Sequence, residues 1–162
     1  MRHGAYGVGV CVLILLGALT AAASPAPSGP PVPFVTIARG TTSRLHAPIR
    51  LVIHDARTWN RLWTQILNPR QGTPVVDFAR DMAIAIASGP VPEGTTLTIT
   101  RITRVSGRLL VWYTLSPTRP DGAGGNASAP FHVVRVARSP LPVEFVFLKT
   151  PPILRRPTAP AD

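Results

Sequence analysis

The spacing of hydrophobic positions changes character once along this chain, and each regime predicts a different element. Trp59, Leu62, Trp63 and Ile66 recur at i, i+3, i+4 and i+7, which stacks them on one helical face. Arg57, Asn60, Arg61 and Gln65 point elsewhere, so the segment reads as one amphipathic helix. Asp55 stands at the N-cap position, where its carboxylate can accept orphan backbone N–H groups. Asn68-Pro69 ends the helix, because a residue before proline avoids the right-handed helical region.

Beyond the helix the period falls to two. Residues 82–87 (MAIAIA) place Met82, Ile84 and Ile86 between alanines, the pattern of a strand buried on both faces or packed closely against another layer. Residues 96–105 alternate through Leu97 and Ile99, then change phase near Ile102. Strands are also expected at 34–39, 50–54, 108–115, 131–137 and 143–148. Turn signals separate the later ones: SGPVPEGT, Ser106-Gly107 and the long 117–130 segment. The expected class is α+β with β dominant: an antiparallel sheet or β-sandwich of about six to seven strands with one covering amphipathic helix.

The ends of the chain read differently. Residues 1–23 have the parts of a secretory signal: Arg2 near the start, an uncharged apolar run from Val8 to Leu19, and Ala21-Ala22-Ala23 before Ser24. The apolar run is short for a membrane span, and proline-rich sequence follows it, so a cleaved signal with no stable span afterwards is expected. That places the mature protein in the periplasm, the cell envelope or the extracellular space. Residues 24–33 (SPAPSGPPVP) carry five prolines and read as an extended linker, and 150–162 read as a disordered tail. One folded domain is expected over 34–149.

Charge and composition narrow the chemistry. The formal net charge is +10, with arginine supplying almost all of it. The arginines are spread from Arg39 to Arg156 without a basic helical face or an aromatic-interleaved patch, which argues against a nucleic-acid partner. The only cysteine, Cys11, lies in the apolar run, so a mature chain would have no disulfide, thiol nucleophile or thiolate metal site. His46, His54 and His132 lack the spacing of a metal motif. Asp77 and Asp81 flank Phe78 before a core strand and read as turn-forming or strand-capping groups rather than a catalytic pair. No GxSxG elbow occurs, and the glycine-rich DGAGGNAS lacks the lysine and helix start of a phosphate-binding loop. Neither an enzyme nor a cofactor is expected, and no residue is assigned to catalysis, cofactor or metal.

Five segments together resemble a known family: TWNRLWTQI, VVDFARDMAIAIASG, PVPEGTTLTITRI, SAPFHVVRVAR and LPVEF. In order and spacing they are similar to the C-terminal domain of the PrcB family, over about Trp59 to Phe145. The resemblance implies an exported accessory domain, first named from a subunit of a secreted protease complex. The chain departs from that family's Thr-Gly-Gly-Tyr-like segment, reading Pro92-Glu93-Gly94-Thr95-Thr96 instead. The same turn resembles the Thr-Gly-Tyr loop of chagasin-like protease inhibitors, without the tyrosine.

The expectation for function is therefore a non-catalytic module that binds another exported protein, which the resemblance implies is a protease, or stabilises a complex containing one. The alternative is a direct protease inhibitor acting through the 89–95 loop. The expected contact residues are Gly89, Pro90, Pro92, Glu93, Gly94 and Thr95, since Pro90 and Pro92 stiffen the loop and Glu93 stands at its tip. The 117–130 loop is a second candidate, and the strand arginines Arg101, Arg104 and Arg135 a third surface.

Overall fold

A computed structural model describes residues 29–66, 72–117 and 127–149. Its elements are β1 (Phe34–Gly40), β2 (Ile49–Ile53), α1 (Ala56–Ile66), β3 (Asp81–Ala87), β4 (Thr95–Val105), β5 (Arg108–Pro117), β6 (Phe131–Ala137) and β7 (Val143–Leu148). They form a four-stranded sheet in the order β1-β6-β3-β2 and a three-stranded sheet in the order β4-β5-β7. The helix covers the outer face of the larger sheet, and the two sheets share the main core.

Alternation along β3 explains this layering. Met82, Ile84 and Ile86 face the smaller sheet, where they meet Leu97, Ile99, Ile102, Leu109 and Val111. Ala83, Ala85 and Ala87 face the helix, where their small side chains leave room for Trp59 and Trp63. The two indoles pack at 5.2 Å between centroids, and Trp59 Nε1 donates to the carbonyl of Pro74 at 2.8 Å. Burying two tryptophans over three alanines supplies much of the apolar area that fixes the helix. Leu62 is buried with them, whereas the side chain of Ile66 and the expected stop at Asn68-Pro69 lie outside the described residues.

Local signals shape the rest. The Asp55 carboxylate accepts the backbone N–H and the hydroxyl of Thr58, each at 2.8 Å, and these bonds hold its pKa below the usual value. Ser106 and Gly107 both have positive φ, 46° and 74°, as a two-residue turn between antiparallel strands requires. The phase change in β4 is a bulge between Ile99 and Arg101, which lets Ile99 and Ile102 both reach the inter-sheet core.

Two features differ from the sequence-based expectations. The pairing of β5 with β7 is parallel, while every other strand pair is antiparallel. Between these strands the chain crosses to the larger sheet as β6, so β7 returns in the direction of β5. The end of the supposed linker is also docked. Val32 N–H donates to Ile102 C=O at 2.8 Å and Arg104 N–H to Pro30 C=O at 3.0 Å, with Pro31 opposite Thr103. Pro31 lacks a donor, but its place on an edge strand needs none there.

Candidate functional site

The 89–95 loop leaves the larger sheet at the end of β3 and enters the smaller one at β4, so it bridges the layers. Gly89 has φ 68° and is buried; a Cβ there would lie 3.1 Å from the backbone of Ala47 and Pro48. Val91 exchanges both backbone hydrogen bonds with Ser128, each 2.8 Å. Pro92 C=O accepts from Thr95 Oγ1 at 2.6 Å and from Ser128 Oγ at 3.1 Å. Gly94, at φ 77°, provides the left-handed turn that brings Thr95 under Pro92.

These contacts divide the six expected contact residues. Pro90, Pro92 and Glu93 are exposed and form the protruding tip. Gly89 and Thr95 are buried and act as its foundation, and Gly94 is half-buried between the two groups. Thr95 belongs to β4, and its hydroxyl is spent on Pro92, so it is not available to a partner. The stiffness thus comes from a hydrogen-bonded clasp with residue 128 as well as from prolines. The clasp links this loop to the last residues of the 117–130 segment, of which 118–126 lie outside the described residues.

The strand arginines do not make one surface. Arg101 lies over the Trp112 ring at 4.3 Å on the outer face of the smaller sheet, where Trp112 Nε1 donates to Thr103 Oγ1 at 3.0 Å. Arg135 instead extends from the larger sheet and faces Asp81 at 3.6 Å. Arg101 and Arg135 therefore belong to different layers, and no shared patch connects them.

Other titratable candidates have structural duties. Asp77 accepts from the Ala79 amide and pairs with Arg80 at 3.7 Å, organising the turn into β3. His132 is buried between the sheets, where its Nδ1 accepts the Ile99 N–H at 2.8 Å and its Nε2 meets Thr36 Oγ1 at 2.9 Å. Burial, then the nearby Arg39 charge, lower its pKa to about 4, so the ring is neutral at pH 7. Among the described residues no three His, Cys, Asp or Glu side chains assemble as a metal site.

Sequence reasoning missed a cleft of about 900 Å³ on the open side of the sandwich. Val52 of β2 and His54 just after it form one wall, and Leu141 and Pro142 leading into Val143 of β7 form the other. Arg138 also lines it, donating to the carbonyls of Phe78 at 2.6 Å and His54 at 3.2 Å. The end of β2, the turn before β3 and the connection from β6 to β7 meet here through long-range pairing, so no local residue pattern in the sequence announces the cleft. Among the described residues, no helix is long and apolar enough to cross a membrane. In comparisons with known proteins, no family model, no curated protein and no solved structure matches the chain.

Proposed function

We propose that this protein is an exported, non-catalytic interaction module that binds another exported protein through the tip of the 89–95 loop. The resemblance to the PrcB C-terminal domain suggests a protease or protease complex as the partner. One observation carries the reading: a rigid clasp holds Pro90, Pro92 and Glu93 out from the sandwich, with buried groups on either side fixing their position. A loop already ordered before contact loses little conformational entropy on binding.

The clasp also favours docking over cleft insertion. A protease cleft pairs with the backbone of the chain it admits. Here Val91 N–H and C=O are already bonded to Ser128, so the middle of the loop does not pair along such a cleft. The test is a photo-crosslinking residue placed at position 93 in the exported protein. An exported protein crosslinked there but not from position 57, on the helix, supports the reading. If that partner is a protease, retained activity marks a docking module and lost activity marks an inhibitor. Equal crosslinking from both positions, or none from 93, overturns the site.

A further inference from the structure

Of the edges of the two sheets, that of β7 is the least protected. The outer edge of β4 is paired over Ile102 to Arg104 by Pro30 and Val32, and at Ile99 its N–H turns inward to His132. In the larger sheet, β1 is interrupted by a bulge between Thr36 and Ala38, and β2 is only five residues long. Strand β7 reads VEFVFL, with no proline, glycine or bulge, and among the described residues no segment pairs along its far side. Such an edge presents a row of unpaired backbone groups.

Its register shows which groups are free. Leu109 N–H donates to Pro142 C=O at 2.9 Å, and the parallel ladder continues from Leu109↔Val143 to Thr114↔Leu148. In that ladder Glu144, Val146 and Leu148 turn their backbone toward β5, while Val143, Phe145 and Phe147 turn theirs outward. The side chains of these same three residues face the inter-sheet layer. Val143 and Phe145 pack against the core, and Phe147 meets the Tyr113 ring at 5.4 Å while half of it stays exposed.

Across the gap stands β2, with Arg50 donating to Tyr113 Oη at 2.8 Å and Val52 packed against the core. The result is a gap open along one side, lined by Val52 and Val143 in the cleft and by Phe147 against Tyr113 beyond it. Arg50 lies toward one end and Arg138 in the cleft at the other. Neither arginine forms an ion pair with a described carboxylate; the described ion pairs use Arg80, Arg108 and Arg135. Glu144 points to the opposite face, where Arg108 holds it at 3.2 Å.

We propose that the free edge of β7 accepts an extended segment of a partner protein as a fourth strand of the smaller sheet. The segment has apolar side chains at alternate positions, filling the groove, and acidic groups at its ends, meeting Arg50 and Arg138. Backbone bonds to Val143, Phe145 and Phe147 hold it, and the alternating pockets select it. A second copy of this chain is the poorer occupant, because it brings a strongly basic surface to a groove that is already basic. The site is independent of the 89–95 loop, so either can fail without the other.

The probe is a fluorescent seven-residue peptide with Val at alternate positions, Thr between them and Glu at both ends, titrated against the full exported chain. Saturable binding is expected, with new hydrogen-exchange protection at the amides of Val143, Phe145 and Phe147. Methylating the peptide nitrogens on the β7-facing side should weaken binding about tenfold or more, and methylating the others should not. Phe147→Pro removes one outward donor without touching the β5 ladder and should weaken binding more than Phe147→Ala. The proposal is overturned by any of three results: no saturable binding up to ~1 mM peptide, equal binding of both methylated peptides, or protection elsewhere. A concentration-dependent dimer of the free protein that Phe147→Pro abolishes would overturn the choice of occupant.

Discussion

The imidazole of His132, on the larger sheet, accepts the amide proton of Ile99, on the smaller sheet, over 2.8 Å. Ile99 sits at the β4 bulge, where the register with β5 shifts and its N–H turns inward. An unpaired N–H in that core would cost ~1–3 kcal/mol, and the histidine removes this cost from across the layer. The bond needs a bare Nδ1, which assigns the proton to Nε2 and directs it at Thr36 Oγ1. One neutral side chain therefore joins β6 to both β4 and β1.

Burial of this neutral ring, with Arg39 nearby, makes stability depend on pH with a defined sign. The folded-state pKa of about 4 lies below the ordinary 6.5, so the unfolded chain binds the proton more readily. The contribution is fully present above about pH 6.5 and declines as pH falls toward 4, by up to roughly 3 kcal/mol. Urea unfolding at pH 7.5 and pH 4.5 should show that loss, and His132→Gln should remove most of the difference while lowering stability at pH 7.5. Equal pH dependence in both proteins would remove His132 as its source.

The helix-side core should respond strongly to volume. Trp63→Ala loses transfer energy and leaves a cavity, and about 3–5 kcal/mol of destabilisation is expected. Ala85→Leu adds volume where the helix packs closely and should cost ~1–3 kcal/mol. Thermal and chemical unfolding check both. A change below roughly 0.5 kcal/mol, typical of surface sites, would place the side chain outside the core.

Processing supplies a third check. The exported form should begin at or near Ser24 and contain no cysteine, which intact-mass measurement reads directly. A species that keeps Met1 through Ala23 after export would make that segment an anchor.

Much of this architecture was legible in the sequence because short-range periodicity encodes it. The spacing of Trp59, Leu62 and Trp63 announced α1, and the MAIAIA run announced a core strand, buried on both faces or packed closely on one, which proves buried on both. The Ser106-Gly107 pair marked the tight turn, and the lost phase before Ile102 marked the bulge. Long-range pairing left no such trace. That β7 lies parallel to β5, and that Pro30 to Val32 dock on β4, depends on which edges remain free after the sheets assemble. The loop tip was found from its prolines. The burial of Gly89 and Thr95 was not, because it depends on Ala47, Pro48 and Ser128, distant in sequence from the loop's middle.

The loop clasp should be separable from the loop tip. Ser128→Ala removes the hydroxyl that braces Pro92 and should cost ~1 kcal/mol, with faster amide exchange at Val91 and Thr95. Glu93→Ala touches no such contact and should change stability by less than ~0.5 kcal/mol. Similar unfolding midpoints for the two variants would mean that the clasp does not hold the tip.

The central claim is that Pro90, Pro92 and Glu93 form a preorganised contact for an exported partner. Its most direct test is partner affinity for a Pro90→Gly, Pro92→Gly, Glu93→Ala variant whose fold is verified by unaltered unfolding cooperativity. Loosening the tip and removing its carboxylate should weaken binding by at least about tenfold, equivalent to ~1.4 kcal/mol. Unchanged affinity for a folded variant would contradict the account and remove this loop as the binding site.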